Sequence, residues 1–244
     1  MVTLNCVAAK ILTFIIGEIL SMNIDLTGKI ALVTGATGEL GWVMTHTLAN
    51  CGADVVIHYL RNDENAKKLL KEVTGIGRRA ITVQGDITDL DSVMRMRDTV
   101  VKEIGAPDII VNNAVIQYTW TNILEQAPED YESQFRSCVM QNFINQSAYV
   151  AGKRGMDGVL RILAKEVGEH QITVNQVAPG WTISNRDRSN GTEYNEEYEK
   201  NVPLKRRGTD QEIANVVAFL ASDLASFITG AFIPVCGGNV MPCI

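Results

Sequence analysis

The sequence predicts an α/β protein in which helices cover both faces of one parallel sheet. Short apolar runs alternate with amphipathic stretches along the chain, and a glycine-rich turn directly follows the first of these runs. The chain has 244 residues, 46% of them hydrophobic, which is enough for one large core. No repeat or low-complexity linker divides it, so we expect a single main domain.

Each apolar run predicts a strand, and each stretch with helical periodicity predicts a helix. The predicted strands are Ile30–Val33, Val55–Tyr59, Ala80–Gln84, Asp108–Val111, Ile172–Val177 and Ala231–Val235. The predicted helices are Trp42–Cys51, Asn65–Thr74, Leu90–Ile104, Met156–Val167 and Gln211–Ser222. Glycines follow the first two helices, as is common at helix ends. Because crossovers between parallel strands are right-handed, the order predicts a doubly wound, Rossmann-type sheet with three layers, α/β/α.

The first 21 residues do not fit this alternation. Ile11–Leu20 is apolar, but it is too short to cross a membrane and Glu18 interrupts it. The segment has neither a basic start nor a small-residue cleavage site, which argues against a secretory signal. We therefore expect residues 1–21 to be a dispensable extension and residues 22–244 to form the domain. The alternative is an amphipathic helix that contacts a partner or a membrane surface.

Composition excludes several functional classes. The net charge is −6 and the chain has no Lys/Arg cluster, so we expect no nucleic-acid partner. The five cysteines are odd in number and have no CxxC spacing, and the three histidines have no metal-ligand spacing. We therefore expect no metal site, no disulfide framework and a cytoplasmic location.

The glycine-rich turn Thr34–Gly41 lies between a predicted strand and a predicted helix. Glycines let the backbone turn tightly and approach a pyrophosphate, while the helix N-terminus offers free N–H groups and a positive dipole end. This placement predicts a dinucleotide site formed by Gly35, Thr37, Gly38, Leu40 and Gly41.

Further motifs follow in a fixed order along the chain. Asp86 comes after the third predicted strand, and Asn112-Asn113-Ala114 comes after the fourth. A YxxxK pattern joins Tyr149 to Lys153, and Pro179-Gly180 and Ser184 lie beyond it. On these motifs the chain resembles the short-chain dehydrogenase/reductase family, over about residues 24–240. The resemblance implies cofactor contacts from Asp86, Ile87, Asn112, Asn113, Ala114, Tyr149, Lys153, Pro179, Gly180 and Ser184.

One detail departs from the single-domain branch of that family, whose TGxxxGxG pattern would place a glycine at position 39. This chain has Gly38 and Glu39 instead, as in the extended branch. A carboxylate at position 39 is favourable at a helix N-terminus, but it should weaken cofactor binding if it faces the phosphates.

The end of the second strand indicates which dinucleotide binds. NAD-binding proteins place an acidic residue there, but this chain has Tyr59. Arg61 follows two residues later, where a guanidinium can pair with the 2′-phosphate of NADP. We therefore favour NADP, with NAD as the alternative.

Tyr149 and Lys153 are four residues apart, so they share one face if they lie on a helix. A tyrosine is a poor base at neutral pH unless a nearby ammonium favours its phenolate. Such a pair can pass a proton to a carbonyl oxygen or remove one from an alcohol. By resemblance, Lys153 would also hold the nicotinamide ribose.

The interval before this pair is too short for the family pattern, which places a catalytic Ser on a strand there. A helix–strand–loop unit needs roughly 30 residues, and QNFINQSA runs directly into Tyr149 with no apolar strand. Ser147 is the remaining candidate, although a helix-start role suits it better. Either the sheet closes up by one strand, or a gap leaves two exposed edges, or the printed sequence omits residues of the natural protein.

The leading hypothesis is an NADP-dependent oxidoreductase that transfers hydride between the cofactor and a ketone or secondary alcohol. The alternatives are a catalytically impaired dinucleotide-binding relative that acts by binding or protein interaction, and a protein that uses the scaffold structurally. The partners expected are a small carbonyl or alcohol substrate and further copies of the chain, as a dimer or tetramer, with no membrane. Trp181–Pro203 is interpreted as either a polar substrate lid or a plain surface loop.

Overall fold

A computed structural model describes residues 23–115, 129 and 147–239, with the backbone alone for 147–151 and 154. Its main sheet contains β1 (Ile30–Val33), β2 (Asp54–Tyr59), β3 (Ala80–Gln84) and β4 (Ile109–Val111). All of these strands are parallel, and their order is β3-β2-β1-β4. The predicted doubly wound arrangement is confirmed, with the chain reversing its direction of winding between β1 and β4.

Three helices cover this sheet: α1 (Glu39–Asn50), α2 (Asp63–Gly75) and α3 (Leu90–Glu103). Successive strand residues point to opposite faces, so β2 contributes to two cores. Val55 packs with buried residues of α1 and α2 on one face. Val56 packs with Met96 and Val100 of α3 on the other. The two cores give the α/β/α layers that the apolar strand runs predict.

In the described residues from 147 onward, there are one long helix, three short or medium α-helices and two further strand pairs. The helices are α4 (Ser147–Val167), α5 (Asn185–Asn190), α6 (Glu196–Asn201) and α7 (Asp210–Leu220). The strands are β5 (Gln176–Pro179), β6 (Thr182–Ile183), β7 (Gly208–Thr209) and β8 (Phe232–Val235). β5 pairs in parallel with β8, and β6 pairs in parallel with β7.

The predicted strand at 172–177 is wrong at its start, because β5 begins only at Gln176. The preceding Asn175 uses its side chain where a strand would use its backbone. Its amide Nδ2 donates to the Ile228 carbonyl at 2.7 Å, and its Oδ1 accepts from the Ala231 N–H at 3.1 Å. These bonds fix the connection that leads into β8.

The main sheet, which ends at β4, and the pair formed by β5 and β8 are two separate sheet sections in the described residues. Within the described residues, β4 pairs with β1 alone and β5 pairs with β8 alone, so the closed-up sheet is not formed there. Side-chain packing joins the sections instead. Val111, Val177 and Val235 pack against a buried cluster of Met44, Ile213 and Ala214. The predicted absence of a helix–strand unit falls on 116–146, which lie outside the described residues apart from 129.

Candidate functional site

The glycine-rich turn Thr34–Gly41, the predicted phosphate loop, turns at Gly35 and enters α1 through Gly38. Gly38 is the N-cap of α1 and has no side chain with which to cap it. The first helical bond runs from the Trp42 N–H to the Gly38 carbonyl at 2.8 Å. The N–H groups in the first turn before Trp42 therefore have no acceptor within the helix. Together with the helix dipole, they form a place that favours an anion.

Gly35 and Gly41 are required by conformation and by close packing. Gly35 has φ +63°, and a Cβ there would lie 2.9 Å from the Ala114 Cα. A Cβ on Gly41 would lie 2.8 Å from the Asn113 Nδ2 and would also meet the Gly35 carbonyl oxygen. Both glycines therefore allow the loop, the helix start and the end of β4 to approach each other, as their place in the sequence predicts.

Asn113 and Thr34 hold the loop from the side of β4. The Asn113 Nδ2 donates to the carbonyl oxygens of Thr34 at 3.0 Å and Gly35 at 3.2 Å. The Thr34 Oγ1 accepts from the backbone N–H groups of Asn113 at 2.9 Å and Ala114 at 3.1 Å. The Asn113 side chain thus holds the start of the loop against the end of β4, while the neighbouring Asn112 is exposed.

His58 holds the same loop from the side of β2, a role that the sequence argument missed. The Gly35 N–H donates to the His58 Nδ1 at 3.0 Å, and the His58 Nε2 lies 3.0 Å from the Gly85 carbonyl. The side chain is buried, and desolvation lowers its pKa below the ordinary value despite the nearby Asp86 carboxylate. The sequence signal available was a histidine within a strand that is otherwise apolar.

Asp86 follows β3 on the other side of the loop. Its Oδ1 accepts from the Thr88 N–H at 2.9 Å and from the Thr88 hydroxyl at 2.7 Å. These bonds lower the pKa of the Asp86 carboxyl, and the Arg61 guanidinium adds to the effect. Arg61 is exposed. Tyr59, where NAD-binding proteins have an acid, donates its hydroxyl to Asp63 at 3.0 Å.

Tyr149 and Lys153 both lie on α4, so the predicted helical spacing of the pair is observed. Lys153 is buried. The side chains of Ser147 and Tyr149 lie outside the described part of the structure. Ser147 is the first described residue of α4. It is only two positions from Tyr149, and residues with this spacing on a helix do not face each other.

Ser184 has a structural role at the start of α5. Its hydroxyl accepts from the Asp187 N–H at 3.1 Å and donates to the Asp187 Oδ2 at 2.8 Å. The Asp187 carboxylate also accepts from the Ser184 N–H, which completes a capping box. Pro179 is the last residue of β5, and Gly180, which follows it, donates its N–H to the Val235 carbonyl at 2.9 Å.

Residues 181–203 are not a plain surface loop, because they contain β6, α5 and α6. Arg207 connects several parts of this segment through hydrogen bonds. Its Nη2 donates to the Thr182 carbonyl at 2.7 Å and to the Asp187 carboxylate at 2.8 Å, while its Nη1 donates to the Thr192 carbonyl at 2.9 Å. The guanidinium carbon lies 4.6 Å from the centre of the Trp181 ring. The hydrogen bond from Arg207 holds the pKa of the Asp187 carboxyl well below its usual range.

Neither a metal-ligand cluster nor a membrane-spanning helix is found in residues 23–115, 129 and 147–239. Among these residues, no group of three or more His, Cys, Asp or Glu side chains could hold a metal ion. No helix within the same ranges is long and apolar enough to cross a membrane.

Two family models match the chain. The model described as short chain dehydrogenase matches residues 29–144, and the model described as enoyl-(acyl carrier protein) reductase matches residues 137–239. The chain is 33% identical to the 3-oxoacyl-[acyl-carrier-protein] reductase FabG of Staphylococcus aureus, over 87% of this chain and 98% of that protein.

Solved structures give the same result. A short-chain dehydrogenase/reductase from Serratia marcescens is 26% identical, with a TM-score of 0.78 over 88% of this chain and 98% of that one. The promiscuous reductase LugOII, which catalyses a keto-reduction during lugdunomycin biosynthesis, is also 26% identical. Its TM-score is 0.80 over 88% of this chain and 99% of that one.

Proposed function

This chain belongs to the short-chain dehydrogenase/reductase family, and on that premise we propose that its cofactor is NADP(H) and that Tyr149 and Lys153 act on the substrate. The protein is an NAD(P)-dependent oxidoreductase that transfers hydride between a nicotinamide cofactor and a ketone or secondary alcohol. The phosphate loop is the observation that carries the cofactor proposal, because it is held on two sides and ends at an uncapped helix N-terminus.

The residues around the loop fit a dinucleotide. Gly35 and Gly41 keep the approach to the N-terminus of α1 free of side-chain atoms. The Asp86 Oδ1 is already bonded to Thr88, which fixes the carboxylate so that its other oxygen can accept a hydrogen bond from the adenosine. Arg61 is exposed near Asp86, where a 2′-phosphate would need a cation. These features support contacts from the loop residues and from Asp86, Ile87, Asn112 and Ala114.

The proposed chemistry needs a proton as well as the hydride that the bound cofactor supplies or accepts. The buried Lys153 ammonium favours the phenolate of Tyr149, so the phenol can exchange a proton with the substrate oxygen. Lys153 is also positioned one helical turn from Tyr149, which suits a second role in holding the ribose. We assign Ser147 a role in starting α4 rather than in binding the substrate oxygen.

The nicotinamide side is proposed to include Pro179, Gly180 and Ser184. Ser184 can contribute only with a hydroxyl that already bonds Asp187, so its contact would be weaker than that of a free hydroxyl. We also propose a homo-oligomer and a cytoplasmic location, the latter supported by the odd number of cysteines.

Dinucleotide preference is tested by the dissociation constants of NADPH and NADH, measured by equilibrium binding. The wild type should bind NADPH more tightly. Arg61→Ala should weaken NADPH binding by about 10- to 150-fold, the value of a charge-assisted hydrogen bond of about 1.5–3 kcal/mol, and should leave NADH binding nearly unchanged. Arg97→Ala is the matched control, because Arg97 is also exposed and bonds only residues of α3. Tighter binding of NADH by the wild type would refute the NADP assignment.

Catalysis is tested by NADPH oxidation against a panel of ketones and aldehydes. Tyr149→Phe removes the proposed proton donor and should abolish turnover, while NADPH binding should be weakened far less because the contacts from the loop remain. Turnover by Tyr149→Phe at the wild-type rate would show that another group moves the proton. NADPH binding by the wild type without turnover on any substrate would instead favour a binding protein.

A deletion within the catalytic half stays a prediction. The alignment with the staphylococcal reductase is 242 positions long, but it covers only 87% of the 244 residues of this chain. Some of the aligned positions are therefore gaps in this chain. This chain is therefore shorter than that relative within the matched region, which supports the prediction. The intact mass of the natural protein provides the test. A value of 26.8 kDa agrees with the printed sequence, and a value about 3 kDa higher, the mass of a unit of roughly 30 residues, would reveal omitted residues.

A further inference from the structure

His58 connects two loops that the proposed dinucleotide site uses. It lies in β2 with 2% of its surface exposed. On one side its Nδ1 accepts the N–H of Gly35, the residue that opens the phosphate loop. On the other side its Nε2 meets the carbonyl of Gly85, which directly precedes Asp86. One side chain therefore sets the distance between the phosphate loop and the loop of Asp86.

The partners of His58 determine its protonation state. A backbone N–H can only donate, so the Nδ1 must present a lone pair to Gly35. A carbonyl oxygen can only accept, so the Nε2 must carry the hydrogen that faces Gly85. This is the neutral imidazole with one defined tautomer. An imidazolium would place an N–H on Nδ1 against the N–H of Gly35, so protonation would break that bond.

The same residue also binds the loop through its backbone. The Ala36 N–H donates to the His58 carbonyl at 2.9 Å, immediately after the bond from Gly35 to the ring. Gly35 in turn accepts from the Gly38 N–H at 3.0 Å, and Gly38 is the N-cap of α1. A change at the ring is therefore passed within three residues to the helix terminus proposed to bind the phosphates.

On these contacts we propose that His58 is a positioning residue for the cofactor site, and that its protonation weakens dinucleotide binding in acid. This inference rests on the proposed dinucleotide site. It assigns a function to a residue that touches neither the cofactor nor the substrate, because His58 acts through the backbone of Gly35 and Gly85.

The surroundings of His58 indicate which protonation state the ring has at neutral pH. Among the described residues, the titratable group that acts on the ring is Asp86, whose carboxylate favours the imidazolium, and Arg61 lies beyond Asp86. From α3, the neutral groups Ser92 and Met96 line the neighbouring Gly85. Burial outweighs Asp86, so the pKa of His58 is lower than 6.5 and the bridge should persist at neutral pH.

The test is the dissociation constant of NAD⁺ between pH 7.5 and pH 5, by equilibrium titration. NAD⁺ is the main probe because the 2′-phosphate of NADP⁺ itself titrates near pH 6. Loss of one hydrogen bond should raise the wild-type constant by about 2- to 13-fold as pH falls. In His58→Asn, an amide oxygen can still accept from Gly35 and does not titrate, but the bond to Gly85 is lost. The dissociation constant of NAD⁺ should therefore be larger than in the wild type at pH 7.5 and should not change as the pH falls. His170→Asn, at an exposed histidine, should follow the wild type.

A second readout does not depend on any variant of His58. If neutral His58 favours binding, then bound NAD⁺ must lower the pKa of His58, because the linkage is reciprocal. The ring resonances of labelled protein report this pKa with and without NAD⁺. His58 is one of three histidines, so a variant with both H46N and H170N leaves it as the only signal. This variant decides the question if His58→Asn does not fold.

The outcomes separate the two proposals. If the His58 pKa does not move when NAD⁺ binds, or the wild-type dissociation constant is flat through the pH at which the ring resonances show His58 to titrate, the role of His58 is wrong and the cofactor proposal stands. If neither NAD⁺ nor NADP⁺ binds at pH 7.5, the proposed function is wrong and this inference fails with it. A positioning role further requires that His58→Asn raises KM for the cofactor and leaves kcat at saturating cofactor near that of the wild type.

Discussion

Replacing Arg207 with Met should destabilise the protein strongly, although Arg207 is far along the chain from the phosphate loop. Its side chain is 1% exposed, and Met fills a similar volume without the charge. The change would remove the charged donor from the Asp187 carboxylate, which is 22% exposed and keeps its bonds from Ser184. It would also remove the guanidinium donor from the carbonyls of Thr182 and Thr192. Removing one partner of a buried ion pair typically costs about 3–5 kcal/mol. We expect the free energy of unfolding to fall by about 3 kcal/mol, since Asp187 keeps some contact with water.

Urea unfolding at pH 7 measures this loss, and the neighbouring residue gives a matched control. Arg206 makes a comparable two-pronged pair with Glu212, at 2.9 Å and 2.6 Å, but both side chains are at the surface, 51% and 39% exposed. Exposed pairs contribute about 0–1 kcal/mol, so Arg206→Met should change the free energy of unfolding by no more than that. Equal losses for the two variants, or a loss below about 1 kcal/mol for Arg207→Met, would refute the argument that burial makes the difference.

Three further predictions concern the phosphate loop and the start of α7. Glu39→Gln should tighten NADPH binding by a few-fold in equilibrium titrations, because it removes a carboxylate from the helix end proposed to bind phosphates. It should also lower the free energy of unfolding by about 0.3–1 kcal/mol, because a negative charge at a helix N-terminus is stabilising. Unchanged affinity would mean that Glu39 faces away from the phosphates, toward Arg186 at 3.9 Å. Gly41→Ala should reduce NADPH binding more than tenfold, because its methyl group would meet the Asn113 amide at 2.8 Å, and wild-type affinity in this variant would show that the loop can relax. The pKa of Glu212 is lowered to about 2, chiefly by Arg206, so the contribution of Glu212 to stability is present above about pH 4.5 and is lost as the pH falls toward 2. In urea titrations, the difference in free energy of unfolding between wild type and Glu212→Gln, at most about 1 kcal/mol for a pair at the surface, should vanish over that pH range. A difference that stays constant would contradict this prediction.

The sequence was sufficient for the strands of the main sheet because they are apolar runs bounded by polar residues, and the central strands β1 and β2 are buried along most of their length. Their continuous apolar runs mark their ends sharply, and β3 lies where it was predicted. α1, α2 and α7 begin slightly earlier than predicted, since polar first-turn residues carry no apolar periodicity, whereas α3 begins at Leu90 as predicted. Asn62 caps α2 and Thr209 caps α7 through side-chain bonds to backbone N–H groups. Capping residues were therefore better markers of these helix starts than hydrophobic spacing.

Residues 181–203 were beyond prediction because their order depends on contacts distant in sequence. Arg207 reaches back 25 positions to Thr182 and 20 positions to Asp187. Neither periodicity nor composition reports such a bond. The same reason explains His58, whose partners lie 23 and 27 positions away on either side in sequence. The glycines of the loop were predictable because a tight turn between a strand and a helix is a local sequence pattern, whereas the distant residues that pack against the loop and hold it in place were not.

Binding and turnover depend on different kinds of contact in this fold. The loop proposed to bind phosphates is attached to β1, β2 and β4, which are joined by hydrogen-bonded strand pairing. Pro179 and Gly180, proposed to face the nicotinamide, are the last residue of β5 and the residue after it. Within the described residues, β5 is joined to that sheet by the packing of Val111 and Val177 on one cluster, not by strand pairing. Side-chain packing fixes a distance less rigidly than a ladder does, and an error of about 1 Å between reacting groups can cost about 100-fold in rate. Affinity for the dinucleotide should therefore be the more robust property of this protein, and the rate of hydride transfer the more sensitive one.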